Sequence, residues 1–367
     1  MAKTASSERR MIILGGSRHH RGGLEAFCER AAIALPRHAA NWQATWWPTD
    51  TAYFSLRHLG ALVRAWRRLG RVKPREVDLI WLQWSTFADL LFLRRALALG
   101  IPVMATPHLG ANARLQRVPV LRALSTRLLA RADRIALLFA GQDTEIALPS
   151  GVPRTVTGSF LPETALSARR SIEGTAPLKL IHASRLSHGK GTFRMVALCA
   201  TLRAQGIAFH AQIAGRADPA TMAELRQAIA DADLGASLTL TDWMNEAALI
   251  DALERTDILV HLSELDSFPL IVLEALAAGT MPIVADMTGA RAMAERYGGF
   301  VATGTDGGVT AAADWLATQD LADLRHRAAD VAAAVRREQA WESCVGRVVD
   351  AANTTIEGRN ANRSLRG

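Results

Sequence analysis

Apolar residues along this chain follow two alternating rhythms. Short apolar runs rich in β-branched and aromatic residues fall at 11–15, 42–47, 77–84, 102–106 and 134–139, and each is predicted as a strand. Between them apolar positions recur at helical spacing near 23–35, 56–70, 87–98, 119–131 and 142–148. The second half repeats the arrangement, with strands at 178–183, 210–214, 237–241, 258–261 and 282–285 and helices near 191–204, 219–231, 245–254 and 270–278. Strand–helix alternation implies a parallel sheet with helices on both faces, here twice over. The stretch 161–177 breaks the rhythm and is predicted to hold an interdomain linker. Ala-rich helices follow residue 305, Trp341 opens a last helix that fades near Asn353, and a polar tail from Gly358 is expected to be disordered.

Length and composition fit that plan. A chain of 367 residues, 49% of them hydrophobic, can build two domains with a core each. Cys28, Cys199 and Cys344 stand far apart with no metal-ligand spacing, which fits free thiols in a reducing compartment. The first ten residues lack the apolar core of a secretion signal, and no apolar run approaches the ~18–20 residues of a membrane span. A cytoplasmic location is therefore expected.

Charge divides the chain unevenly. Residues 1–160 carry 23 Lys and Arg against 10 Asp and Glu, whereas residues 161–367 carry 20 against 25. The first half is thus expected to face something anionic: membrane lipid, nucleic acid or a phosphorylated acceptor. Nucleic acid has only basicity in its favour, with no finger, helix-turn-helix or aromatic binding motif. In 57–71 the apolar Leu59, Leu62, Val63, Trp66 and Leu69 follow helical spacing, while Arg57, Arg64, Arg67, Arg68 and Arg71 lie mainly elsewhere around the helix. Arg127, Arg131 and Arg134 are expected on one narrow face of the helix after Pro119. Such helices suit an anionic membrane surface, or simply pack on a core with a solvated basic side. Trp46, Trp47, Tyr53 and Phe54 would stack on sugars or fill the core.

Chemistry concentrates in a few places. The run 263–279 sets Glu274 in an almost wholly apolar helix, with Asp266 at the turn leading in. Ser267 is predicted as its N-cap and Pro269 as a first-turn residue, so free backbone N–H groups and the positive dipole end would favour an anion such as phosphate. A helix-terminal acid and a solvent-facing Glu are the plainer alternatives. At 184–191 Gly189 and Gly191 bracket Lys190 between a strand and a helix, and Arg185 adds a second cation; an ordinary basic loop would look the same. Gly22 and Gly23 open a helix after the first strand, for close backbone approach or for a positive φ. His108 sits at the carboxyl end of the fourth predicted strand, where it could be functional or structural. His182 and His261, both strand residues, are expected to be satisfied within the core. Asp231 and Asp233 mimic a metal-binding pair but are expected at a solvated helix end.

The order Arg185, Lys190, Asp266, Glu274 resembles that of retaining glycosyltransferases of family 4, which have the GT-B fold. The likeness is strongest over 178–300. It implies an α/β fold of two Rossmann-like, doubly wound parallel-sheet domains facing across a cleft. It implies an acceptor-side domain at 1–165, a linker at 166–177, a nucleotide-sugar domain at 178–338, a helix at 339–356 crossing back, and a tail at 357–367.

By the resemblance, Glu274 holds ribose hydroxyls, Asp266 the transferred sugar, and Arg185 with Lys190 the donor diphosphate. Ser267, Phe268, Pro269 and Leu270 line the donor site, with Gly22 and Gly23 approaching the phosphates and His108 near the reacting sugar. The family usually has Glu, Gly, Phe and Gly where this chain has Asp266, Ser267, Phe268 and Pro269. The shorter Asp266 would shift the hold on the sugar, Pro269 removes one backbone donor, and Glu264 is an off-register fallback. The implied activity is metal-independent transfer of a hexosyl group from a UDP- or GDP-linked sugar to a glycan or lipid-linked acceptor, in envelope or exopolysaccharide synthesis. No cofactor and no nucleic acid are expected, and peripheral contact with the inner membrane face is. Rival readings are a GT-B sugar-nucleotide epimerase and a non-catalytic GT-B module that binds a membrane or partner.

Overall fold

The computed structural model describes residues 8–19, 22–51, 59–108, 114–169, 177–266 and 268–364. The chain forms two compact units, Met1–Phe160 with Gln339–Gly367, and Leu161–Glu338. The first contains β1 (Arg9–Leu14), α1 (Gly23–His38), β2 (Trp42–Trp47), α2 (Leu59–Leu69), β3 (Leu79–Trp84), α3 (Asp89–Ala98), β4 (Val103–Pro107), α4 (Pro119–Leu129), β5 (Arg134–Leu137) and β6 (Arg154–Val156). The second contains α5 (Glu163–Leu166), β7 (Leu178–Ala183), α6 (Thr192–Ala204), β8 (Phe209–Ala214), α7 (Pro219–Asp231), β9 (Leu238–Thr241), α8 (Glu246–Glu254), β10 (Ile258–His261), α9 (Leu270–Ala278), β11 (Met281–Ala285), α10 (Thr288–Tyr297), β12 (Phe300–Ala302), α11 (Val309–Ala317) and α12 (Leu321–Glu338). The last helix, α13 (Trp341–Ser364), belongs to the first unit.

Each unit has one six-stranded sheet, ordered β2-β1-β3-β4-β5-β6 in the first and β12-β11-β10-β7-β8-β9 in the second. Every described strand pair is parallel. Strands such as β3 and β11 are buried along their whole length, as parallel strands covered on both faces must be. Strand order reverses between β1 and β3 and between β7 and β10, and open α/β sheets gather ligands beyond the carboxyl ends of such strands.

A recurring aspartate sets the opposite end of both sheets. Asp78, Asp133 and Asp257 each immediately precede a strand. Their carboxylates accept the backbone N–H of Arg10 (2.7 Å), Val103 (2.8 Å) and Lys179 (3.0 Å) on the neighbouring strand. Their own N–H groups donate back to the carbonyls of those same residues. The ring satisfies groups at the sheet rim that would otherwise need water, and it fixes register there. Arginines from helices complete two of the rings. Arg359 pairs with Asp133 at 3.0 Å, and Arg325 pairs with the fully buried Asp257 through contacts of 2.8 and 3.0 Å.

Several expectations are corrected. The helix foreseen at 142–148 is only a short 3-10 turn, Gln142–Thr144. Gln142 is buried there, receiving the Leu138 N–H and donating to the Pro107 carbonyl, both at 2.7 Å. Arg134 does not share a helical face with Arg127 and Arg131; it lies on β5, bonded to Thr155 and Thr355. Leu161, Ala165 and Ala168 are buried in the second unit's core, so the first part of the predicted linker already packs there. Residues 170–176, with Arg21, Tyr53, Phe54, Arg57 and Ser267, lie outside the described residues. The last helix does not fade near Asn353, and the polar tail is helical through Ser364. Its polar residues are anchors: Asn353 bonds Arg9, Thr355 bonds Arg134 and Arg359 bonds Asp133. Among the described residues no helix is long and apolar enough to cross a membrane.

Candidate functional site

The second unit brings Lys190 and Asp266 together at its switch point. β7 ends at Ala183, and the following loop carries Lys190 in a single 3-10 turn, His188–Lys190. Gly191 then takes φ +80°, where a Cβ would also collide with the Leu262 carbonyl, so only glycine lets the two loops close. Beyond β10, the Glu264 N–H donates to the Gly189 carbonyl at 3.0 Å. With the loops so joined, the Lys190 ammonium pairs with Asp266 Oδ1. Asp266 Oδ2 accepts from Ser263 Oγ at 2.9 Å and lies 3.2 Å from His261 Nε2. Burial on its own would raise the Asp266 pKa; the His261 contact and the Lys190 charge outweigh it and hold the carboxyl well below the usual carboxylate range.

His261 corrects its expected role. It is buried, but it faces Asp266, and its other nitrogen, Nδ1, has no hydrogen-bond partner among the described residues. A histidine at a strand end five residues before a candidate acid was the available signal. His182 does behave as a core residue: Nδ1 meets the Val260 carbonyl at 2.9 Å, and Nε2 meets Ser184 and Thr192. Burial depresses its pKa to about 4, leaving it neutral. Glu264 is engaged elsewhere, by Arg194.

The helix α9 starts at Leu270 with Pro269 as its N-cap at φ −73°, ψ 114°, so the cap is not Ser267. An extended proline with no N–H of its own ends the incoming loop and starts the helix in one residue. Glu274 is buried at 8% exposure, which excludes the solvent-facing reading. Phe268 packs half-buried against the core, Pro269 is buried, Leu270 is half-buried, and Arg185 stands exposed after β7. Asp231 and Asp233 are exposed at the end of α7, bonded to Gln227 and Arg203.

The first unit builds its carboxyl ends mainly from neutral donors. Gly22 caps α1 in an extended conformation, φ −142°, so positive φ is not its requirement, and Gly23 is the first helical residue. Ser17 N–H donates to Glu25 at 3.1 Å and Ser17 Oγ to Asp50 at 2.7 Å. The fully buried Asp89 collects the N–H groups of Ser85 and Thr86, each at 2.8 Å, and the hydroxyls of Thr49 and Thr51. Burial raises its pKa despite those bonds. His108 Nε2 meets Gln83 Oε1 at 2.9 Å and its ring stands edge-on to Phe27. Burial lowers the His108 pKa to about 4. Asp50 and Asp89 escaped the sequence reading, because nothing in the local pattern separates them from ordinary solvated acids.

Comparison with known proteins agrees with this arrangement. Residues 167–332 match the family model described as glycosyl transferases group 1. A 174-residue stretch is 29% identical to GDP-mannose:cellobiosyl-diphosphopolyprenol alpha-mannosyltransferase of Xanthomonas campestris. That match covers 47% of this chain and 45% of the relative, so somewhat less than half of each is shared. Among solved structures, sucrose-phosphate synthase from Thermosynechococcus elongatus has a TM-score of 0.75 at 16% identity, covering 95% of this chain and 100% of that one. Anabaena Alr3699/HepE, solved in complex with UDP-glucose, has a TM-score of 0.72 at 16% identity, covering 94% and 99%. The chain thus has the GT-B fold, and the match to the glycosyl transferases group 1 model falls within its second unit.

Proposed function

We propose that this protein is a retaining, metal-independent glycosyltransferase of family 4. It moves a sugar from a nucleotide-sugar donor to a glycan or lipid-linked acceptor in envelope or exopolysaccharide synthesis. The observation that carries the reading is the junction of Lys190 and Asp266 at the switch point of the second unit, one turn before the start of α9. Glu274 takes the ribose hydroxyls and Asp266 the transferred sugar, while Phe268, Pro269 and Leu270 shape the donor pocket. Lys190 and Arg185 grip the diphosphate. As the glycosidic bond breaks, the leaving diphosphate gains negative charge, and fixed cations stabilise that charge most in the transition state. A bound diphosphate would compete with Asp266 for the Lys190 ammonium, freeing the carboxylate for sugar hydroxyls. Attack proceeds on the face from which the diphosphate departs, with a phosphate oxygen accepting the acceptor's proton. Gly22 and Gly23 allow close backbone approach to the donor phosphates, and His108 serves near the reacting sugar, where a neutral imidazole can exchange hydrogen bonds with a hydroxyl.

The donor base is uridine or guanosine: the mannosyltransferase relative is named for GDP-mannose, and HepE was solved with UDP-glucose. The acceptor class follows the same relative, whose name specifies a polyprenol-linked diphosphate. The exposed Val118, Val120 and Leu124 beside Arg117 and Arg122 favour docking of the first unit on an anionic membrane face. Binding to anionic vesicles at low salt checks that step, and its absence removes it. A thermal-shift and hydrolysis screen over nucleotide sugars identifies the donor, because a ligand raises apparent stability by mass action. Glu274→Ala is expected to cost about an order of magnitude or more in donor affinity or turnover; unchanged hydrolysis of the identified donor would sink the assignment.

A further inference from the structure

The first unit holds a groove of about 940 Å³ between α2 and the β1–β2 edge of its sheet. Leu62, Ala65 and Leu69 hold α2 on the core. The neighbouring stripe of the helix, Arg64, Arg67 and Arg68, lines the groove together with Arg71 from the turn that follows, and Arg18 faces it from the loop after β1. Residues at i, i+3 and i+4 share one side of a helix, and like charges there repel one another. The groove's two acids are already engaged: Asp50 accepts from Ser17 and the Arg18 N–H, and Glu76 pairs with Lys73 at 3.3 Å. Among the described residues none of these five arginines has a carboxylate partner. Arg68 lies flat on the Trp47 ring, 3.8 Å from its centroid, so its guanidinium is held in place before any ligand arrives. Arg18 is close enough to Arg68 to lower its pKa, after burial.

We infer that this groove is a binding site for a diphosphate group, clamped by Arg64, Arg67, Arg68, Arg71 and Arg18. A self-repelling set of planar forks around a preset guanidinium matches two adjacent phosphates, each able to accept paired N–H bonds. A groove of this volume also has room for the group that the diphosphate carries. The inference stands apart from the donor-site reading, since every residue it uses lies in the first unit, and its test requires no turnover.

The experiment titrates the full chain with inorganic pyrophosphate by calorimetry, in a Lys190→Gln background that weakens any donor-side contribution. Replacing Arg64 and Arg68 by Gln is expected to weaken binding about tenfold or more. The matched removal of two exposed charges that the groove does not use, Arg94→Gln with Arg226→Gln, is expected to leave it within about twofold. Equal losses in the two pairs, or none in the first, overturn the site. If the Arg64/Arg68 variant fails to fold by circular dichroism, Arg71→Gln alone is expected to weaken binding at least about threefold, and no change overturns the site. A short-chain polyprenyl diphosphate that binds tighter than pyrophosphate assigns the group to a lipid-linked ligand. Equal affinity assigns it to a water-soluble one, and both results uphold the groove. Phosphatidylglycerol vesicles that bind parent and variant alike, with no pyrophosphate binding, overturn it.

Discussion

The two sheets begin alike and end differently. At their amino ends both are closed by an aspartate that exchanges two hydrogen bonds with the next strand. At their carboxyl ends the second unit sets a lysine against an aspartate, whereas the first surrounds its acids with hydroxyls and backbone N–H groups. Five arginines that have no carboxylate partner among the described residues line a groove beside α2, which one of those acids, Asp50, also borders. The amino ends answer a need common to every parallel sheet, so one device serves both units. Open α/β sheets gather ligands beyond their carboxyl ends, and there the chemistry of the two units diverges.

The strongest test of the shared amino-end device is Arg325→Ala. It strands the buried Asp257 charge and is expected to cost about 3–5 kcal/mol, read by chemical denaturation; a loss below 1 kcal/mol would mean the ring alone carries that end. The neutral histidines probe the carboxyl ends next. Because the His182 pKa in the folded protein, about 4, lies below the ordinary 6.5, the unfolded chain binds a proton that the folded one refuses. Stability is therefore lost as pH falls from about 6.5 towards 4, by roughly 3 kcal/mol from this residue. His182→Gln should flatten that part of the stability–pH curve, and an unchanged slope would place the effect elsewhere.

Lys190→Ala, third in size, is expected to lower turnover about a hundredfold with the identified donor. An equal fall on removing Arg71 would erase the distinction between the two cationic sets. Asp266→Asn gives the smallest effect on stability. A carboxyl held below its ordinary value stabilises the fold above pH ~4, and that contribution is lost as pH falls further. The variant should melt about 2–4 °C lower than the parent at pH 7, with the gap closing below pH 4. A gap that stays constant with pH would mean packing rather than charge holds the loops.

Central strands such as β3 and β11 were legible because residues buried on both faces leave apolar runs. β6 and β12 were not, since three residues at a sheet edge carry too little pattern. The length of α13 was hidden because Asn353, Thr355 and Arg359 read as solvent residues until the strands they reach are known. The order of Arg185, Lys190, Asp266 and Glu274 drew attention to the loops after β7 and β10, yet spacing could not place Lys190 on Asp266. Nor could it separate His261 from the core histidine His182, as both sit on apolar strands. Periodicity put the α2 arginines mainly off the apolar side of the helix. Whether they met open solvent or overhung the sheet edge depends on how the helix is laid down, which no local pattern encodes.

The absent methyl group at Gly191 has a mechanical consequence. With no side chain in the way, two turns of backbone that are distant in sequence behave as one stiff part, and the ammonium and carboxylate ride on it together. A larger residue there would prise the halves apart and loosen both charges at once, although neither had been touched.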